Sequence, residues 1–188
     1  MLAILISAVH LCLHTDLVTY PCIMFFSLVV LKDNSALSLA SATLMINFCK
    51  SVSKVQNTAA RLVSGAGRHD HITPVLATLH WLPVRQQIAF KTAVLVWKCL
   101  NGEAPRYLAD LCVPAASTDG RRQSRSAVSG ALLVPWTRTS TGQRSFAVHG
   151  LRTWNRLPAA LRSPGLSLHA FKRQLKACLL YTSDAADE

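Results

Sequence analysis

The feature that most limits the fold is a series of short apolar patterns, each bounded by glycine or proline. Between residues 52 and 111, apolar side chains recur every three or four positions, as on one face of an α-helix. Proline favours the first turn of a helix and glycine favours its end. Three helices are predicted on this basis: residues 52–63, ended by Gly65 or Gly67; a helix beginning at Thr73-Pro74; and one beginning after Pro83 and ending at Asn101-Gly102.

The rest of the chain gives fewer clear signals. A short helix is expected after Glu103-Ala-Pro105, and a last amphipathic helix is expected after Ser167. Residues 113–131 are rich in Ala, Ser, Gly and Arg and predict a loop. Leu132–Trp136 and Ser145–Val148 predict short strands, the first at an edge because it contains a proline. The expected fold class is therefore mainly α, with several short helices and a small β element (α or α+β), only partly folded if the chain is a fragment.

Composition divides the chain into unlike segments. The net charge is +11, although only 15% of the residues are charged. Residues 51–180 hold eighteen Lys and Arg against four Asp and Glu, a net charge of +14. Such a balance favours an anionic partner, either nucleic acid or a membrane surface. The predicted segments are an apolar N-terminal segment at 1–50, a helical part at 51–112, a basic linker at 113–131, a β element with the C-terminal amphipathic helix at 132–180, and an acidic tail at 181–188.

The N-terminal segment is the basis of a membrane interpretation. Residues 1–31 are nearly all apolar, and the longest uncharged run is Leu17–Leu31. As a helix this run would reach about 22 Å, which is less than the ~30 Å hydrocarbon core of a bilayer. A secretory signal would require Lys or Arg before its apolar run, and no Lys or Arg precedes this one. The alternative interpretation is a small membrane-associated basic protein, anchored by residues 1–31, whose basic part lies on anionic lipid.

Arginine-rich positions are the candidate nucleic-acid contacts. Within residues 51–180, arginine outnumbers lysine thirteen to five. The planar guanidinium suits phosphate oxygens and stacks on bases. We therefore expect contact with the RNA or DNA phosphate backbone and little readout of base sequence. The candidate residues are Arg121, Arg122, Arg125, Arg138, Arg144, Arg152, Arg156, Lys172 and Arg173.

Catalytic and metal chemistry find little support in the sequence. The six cysteines include no CxxC pair, which excludes a zinc ribbon. A Cys–His nucleophile can be drawn from Cys99 and His80, but nothing near them in the sequence supports it. No catalytic residue, metal, cofactor or small-molecule substrate is predicted. The four tryptophans are expected to be hydrophobic anchors, with base stacking as the alternative: Trp81, Trp97, Trp136 and Trp154.

One ordered set of motifs runs through residues 52–180. It consists of Lys54-Val-Gln-Asn-Thr-Ala-Ala-Arg-Leu62, His71-Ile-Thr-Pro74, Leu79-His-Trp-Leu-Pro-Val-Arg85, Phe90-Lys91, Ala104-Pro-Arg-Tyr-Leu-Ala-Asp-Leu111, Leu151-Arg-Thr-Trp-Asn-Arg-Leu-Pro158 and Phe171-Lys-Arg-Gln-Leu175. In order and spacing this set resembles the region after the catalytic palm in reverse transcriptases of non-LTR, LINE-like retrotransposons of the CR1/L2 type. The resemblance does not extend to residues 1–50.

The resemblance implies a fragment of the RNA-directed DNA polymerase family that is not itself an enzyme. The palm of that family carries a paired-aspartate YxDD motif, and this sequence has no adjacent aspartates to bind catalytic Mg²⁺. It further implies a template RNA or target DNA as partner and a location in the nucleus or cytoplasm. The tail at 181–188 looks like translated sequencing adapter, and the alternative interpretation is a natural acidic C-terminus.

Overall fold

A computed structural model describes residues 35–117, 130–163 and 165–184. The apolar residues 1–31 and three of the candidate contacts, Arg121, Arg122 and Arg125, lie outside the described residues. Within them the chain is mainly helical, which confirms the predicted fold class.

Seven α-helices account for most of the described residues. They are α1 (Ser35–Ser64), α2 (Ile72–Thr78), α3 (Val84–Leu100), α4 (Arg106–Ala109), α5 (Ser140–Arg144), α6 (Leu151–Arg156) and α7 (Leu168–Asp184). Two 3₁₀ turns, Ala115–Ser117 and Ala159–Arg162, and one π-helical turn, Phe146–Gly150, connect them.

Several predicted helix ends are confirmed by the backbone. Gly65 follows α1 with φ +69° and Gly102 follows α3 with φ +74°, the left-handed conformation that glycine adopts without strain. At the start of α7, the Ser167 hydroxyl accepts a hydrogen bond from the Ala170 N–H at 3.3 Å. This last helix continues to Asp184, so the first residues of the predicted acidic tail are helical.

Helix α2 differs from its prediction at both ends. It begins at Ile72, so Thr73 and Pro74 lie in its first turn instead of capping and opening it. At the other end His80 has φ 54°, a left-handed conformation that is uncommon outside glycine. The N–H groups of His80 and Trp81 donate hydrogen bonds back to carbonyls of the helix, both at 2.9 Å. These bonds give partners to the last carbonyl groups of α2. They stabilise the left-handed conformation at a position that is not glycine.

The predicted β element is reduced to one residue pair in the described part of the chain. Pro114 and Leu132 form an isolated antiparallel bridge. The hydrogen bonds around it are Ala115 N–H to Ala131 O and Leu133 N–H to Val113 O, both 2.9 Å. The residues that follow, up to Trp136, form no strand with any described part of the chain.

The predicted strand at Ser145–Val148 is wrong, because Phe146–Gly150 form a π-helical turn that leads into α6. The buried residues here are Val148, Leu151 and Trp154, which recur at helical spacing. The segment Ser145–Val148 is only four residues long, and the spacing of apolar residues in so short a segment fits a strand and a helix equally.

The described residues form two compact units. Unit 1 covers the range 1–88 with 179–188, of which 35–88 and 179–184 are described, and unit 2 covers the range 89–178, of which 118–129 and 164 are not described. In unit 1, α1 packs against α2. The Gln56 side chain, which is 3% exposed, donates a hydrogen bond from Nε2 to the Leu82 carbonyl at 2.8 Å. This bond fixes the turn that precedes α3.

An aromatic cluster forms the core of unit 2. The Phe171 ring lies between two indoles, with its centroid 6.1 Å from that of Trp97 and 5.8 Å from that of Trp154. Phe171, Leu151 and Leu175 are completely buried. Aromatic pairs at these separations stabilise a core beyond the free energy of their surface burial.

Candidate nucleic-acid interface

The net positive charge of the chain comes from the residue range of one unit. Unit 2, residues 89–178, contains fourteen Lys and Arg against three Asp and Glu, a net charge of +11. The residues of unit 1 contain six basic and six acidic side chains, a net charge of zero. The whole net charge of +11 therefore belongs to unit 2.

All candidate contacts that lie in the described part of the chain are exposed, and all belong to unit 2. They are Arg138, Arg144, Arg152, Arg156, Lys172 and Arg173. Among the described residues, none of these six side chains is paired with a carboxylate. Their charges are therefore available to an anion from solution.

Helix α7 separates its basic residues from its apolar ones. Lys172 and Arg173 are exposed, whereas Phe171 and Leu175 are fully buried one turn apart. Because i and i+4 lie on the same helix face, burial of this pair directs the two cations to the opposite side. The amphipathic pattern predicted for this helix is confirmed.

Three basic side chains lie close together around α6. Arg152 and Arg156 are four residues apart, and His149 lies one turn before Arg152. The pKa of His149 is lowered, first by the protein atoms that remove water from the imidazole and then by the charges of Arg156 and Arg152. The residue as a whole remains exposed. The two guanidinium charges therefore act on the same surface group, the His149 imidazole. A phosphate bound there would reduce the repulsion among these positive charges.

A side-chain clamp, which no sequence pattern predicted, holds the segment that leads to Trp136. The Asn155 amide accepts a hydrogen bond from the Leu132 N–H and donates one to the Leu132 carbonyl, both 2.8 Å. The neighbouring Trp154 indole N–H donates to the Gly130 carbonyl at 3.0 Å. Both residues belong to the motif at 151–158, so part of that motif acts on the backbone of residues 130–132.

The four tryptophans have different surroundings. Trp97 and Trp154 are 7% and 2% exposed and belong to the core, as predicted. Trp81 is half-buried. Trp136 is 76% exposed, and the Arg138 guanidinium carbon lies 5.3 Å from the centroid of its ring. The prediction of a hydrophobic anchor is therefore wrong for Trp136, because the segment after Pro135 runs along the surface instead of returning to the core.

The cysteines and histidines form no metal centre in the described part of the chain, where no group of three potential ligands comes together. Cys99 and Cys112 are both buried and free. The neighbouring Cys112 thiol lowers the pKa of Cys99, and the Cys99 thiol together with burial raises the pKa of Cys112. The Cys99 thiol thus has a second thiol as its neighbour.

Comparison with protein-family models, with curated proteins and with solved structures found no match to this chain. In the described residues, no helix combines the length and the apolar character that crossing a bilayer demands.

Proposed function

We propose that this chain binds RNA or DNA through the phosphate backbone, without catalysis and with little sequence readout, and that unit 2 carries the binding. The observation that supports this proposal is the partition of charge. The full +11 belongs to residues 89–178, and the candidate cations described there are exposed. Phosphate neutralisation with counterion release supplies most of the affinity in non-specific nucleic-acid binding.

The proposal includes an origin for residues 52–180, namely the region after the palm of a LINE-like reverse transcriptase. Two sets of contacts support it. Gln56 of the first motif bonds to Leu82 of the third, and Trp154 and Asn155 hold residues 130–132. Polar residues of the motifs therefore have specific partners, as expected for a sequence selected to fold. The exposed apolar side chains Val55 and Leu62 of α1 further support descent from a larger protein that covered them.

The test compares two sets of neutralising substitutions in the full chain. The first set, Arg144→Gln, Arg152→Gln, Arg156→Gln and Arg173→Gln, removes four exposed charges from unit 2. It is expected to weaken binding to labelled duplex DNA and to single-stranded RNA by at least about tenfold at low salt, because four phosphate contacts are lost. Fluorescence anisotropy measures both affinities.

The matched control removes four exposed charges from unit 1 by Lys50→Gln, Lys54→Gln, Arg68→Gln and Arg85→Gln. Both variants have the same net charge, so a general effect of charge would weaken them equally. We expect the control to bind within about threefold of the unmodified chain, since its substitutions touch no proposed phosphate contact. Equal losses for the two sets, or no binding by the unmodified chain, would contradict the proposal.

The membrane interpretation depends on residues 1–31, which lie outside the described residues. The exposed cations of unit 2 suit anionic lipid as well as nucleic acid. We prefer nucleic acid as the partner because the motifs at 52–180 resemble those of a nucleic-acid-binding family. A fusion of residues 1–50 to a fluorescent reporter separates the two interpretations, because a diffuse signal in cells would remove the membrane anchor.

A further inference from the structure

Trp136 is the most exposed of the tryptophans and lies in the basic unit. Its side chain is 76% exposed, whereas Trp97 and Trp154 of the same unit are buried. An exposed indole offers a ring face to a ligand, which the two buried indoles do not. A ligand of this ring also has to suit the net charge of +11 that residues 89–178 carry.

The backbone that presents Trp136 is held from both sides. On one side, the N–H of Leu133 and the carbonyl of Ala131 bond to residues 113 and 115, both at 2.9 Å. On the other side, the Asn155 side-chain amide forms two hydrogen bonds of 2.8 Å with the backbone N–H and carbonyl of Leu132. Pro135 then restricts the backbone immediately before the indole. The ring therefore projects from a fixed base, which lowers the entropy cost of binding a ligand on it.

Arg138 completes the arrangement. Trp136 and Arg138 are both exposed, and the intervening Thr137 is half-buried. The guanidinium carbon lies 5.3 Å from the ring centroid, within the range of a cation–π interaction. One face of the indole thus has a cation beside it, and the other is open to a second planar group.

We infer that Trp136 and Arg138 form a stacking platform for an unpaired nucleobase, with Arg138 also reaching the adjoining phosphate. This inference rests on the proposed function and gives it a substrate class: single-stranded RNA or DNA is preferred to a duplex. A nucleobase stacks on an aromatic ring whatever its identity, but only when it is not already stacked and paired within a double helix. The partner is therefore recognised as a single strand and not by its sequence.

The experiment measures the affinity of the full chain and its variants for four labelled probes of equal length: single-stranded DNA, single-stranded RNA, a fully abasic strand and duplex DNA. Trp136→Ala is expected to weaken binding of both base-carrying single strands by about tenfold. Its affinity for the abasic strand and the duplex is expected to stay within about twofold of the unmodified chain, since no phosphate contact is lost. Trp136→Phe retains an aromatic face and is expected to restore most of the affinity.

The matched control is Tyr107→Ala, which removes another exposed aromatic side chain of unit 2, one with 64% of its surface in water. It is expected to leave all four affinities unchanged. An unchanged single-strand affinity in Trp136→Ala, an equal loss on the abasic strand, or an equal loss in Tyr107→Ala would overturn the platform while leaving backbone binding intact. Failure of the unmodified chain to bind any of the probes would instead contradict the proposed function itself.

Discussion

Arg61 and the arginines of α6 have contrasting environments in the described part of the chain. Arg61 donates hydrogen bonds from its two terminal nitrogens to the carbonyls of Gly67 and Asp70. It therefore holds the loop after α1. Arg152 and Arg156 are exposed and lie close enough together to act on a common neighbour, His149. Arginine content alone does not distinguish these two environments, which is why the sequence could propose candidate contacts but not separate structural arginines from available ones.

Gly130 supports the clamped segment in two ways. Its carbonyl accepts the hydrogen bond of the Trp154 indole. Its φ is +66°, and a Cβ placed on it would lie 2.9 Å from the Arg162 carbonyl oxygen. A side chain at this position would therefore be strained by its backbone conformation and would also collide with a backbone atom that cannot move alone.

We predict that Gly130→Ala lowers the free energy of unfolding by about 2–4 kcal/mol, from the left-handed strain and the clash together. Gly102→Ala is the matched control, because Gly102 has φ +74° but no atom near its would-be Cβ within 4 Å. Its cost is expected to be about 1 kcal/mol. Urea denaturation of both variants measures the difference. Equal destabilisation would show that the Arg162 carbonyl does not restrict this position.

At the scale of the element, the region around α6 combines a lowered histidine pKa with two nearby cations. Burial comes first among the causes for His149, and Arg156 and Arg152 add to it. The unfolded chain takes up this proton at a higher pH than the folded chain does. The contribution of His149 therefore lowers the free energy of unfolding as the pH falls below the ordinary imidazole pKa toward the lower folded value.

We predict that Arg152→Gln combined with Arg156→Gln raises the pKa of His149 toward its ordinary value, because two charges that disfavour the imidazolium are removed. Saturating the unmodified chain with an oligonucleotide is expected to raise the same pKa, since phosphates neutralise those charges. Titration of the imidazole proton signals by NMR measures both effects. If neither the two substitutions nor the oligonucleotide changed the pKa of His149, the Arg152 and Arg156 guanidiniums would not act on its imidazole.

Three helix ends were predictable because their signals are local. Two helices end before a glycine with positive φ, Gly65 and Gly102, and one helix begins after the capping residue Ser167. All three residues act as predicted. The element at Phe146–Gly150 was not predictable in this way. Gly150 fits there because a Cβ would lie 3.0 Å from the Phe146 ring and 3.5 Å from Val96, and Val96 is distant in sequence. Its conformation depends on tertiary packing that no local pattern contains.

At the scale of the whole molecule, the structure changes which residue range carries the net positive charge. Counting along the sequence assigned +14 to residues 51–180. The division into compact units assigns +11 to residues 89–178 and leaves residues 1–88 with 179–188 neutral. The sequence predicted that the charge is concentrated but not which helices share one unit, because residues 51–88, a little under a third of the predicted basic region, belong to unit 1. The two hydrogen bonds between Asn155 and Leu132 could not be predicted either, since an asparagine side chain can make such bonds almost anywhere.

The central claim is that unit 2 binds phosphates, and the salt dependence of affinity tests it most directly. We predict that the logarithm of the association constant of the full chain for duplex DNA falls linearly with the logarithm of salt concentration. If the six described candidate cations each bind a phosphate, the slope is about −5. Neutralising Arg144, Arg152, Arg156 and Arg173 is expected to reduce its magnitude by about 4, at about one per cation. A slope near zero in the unmodified chain, or a slope that the four substitutions leave unchanged, would contradict the account.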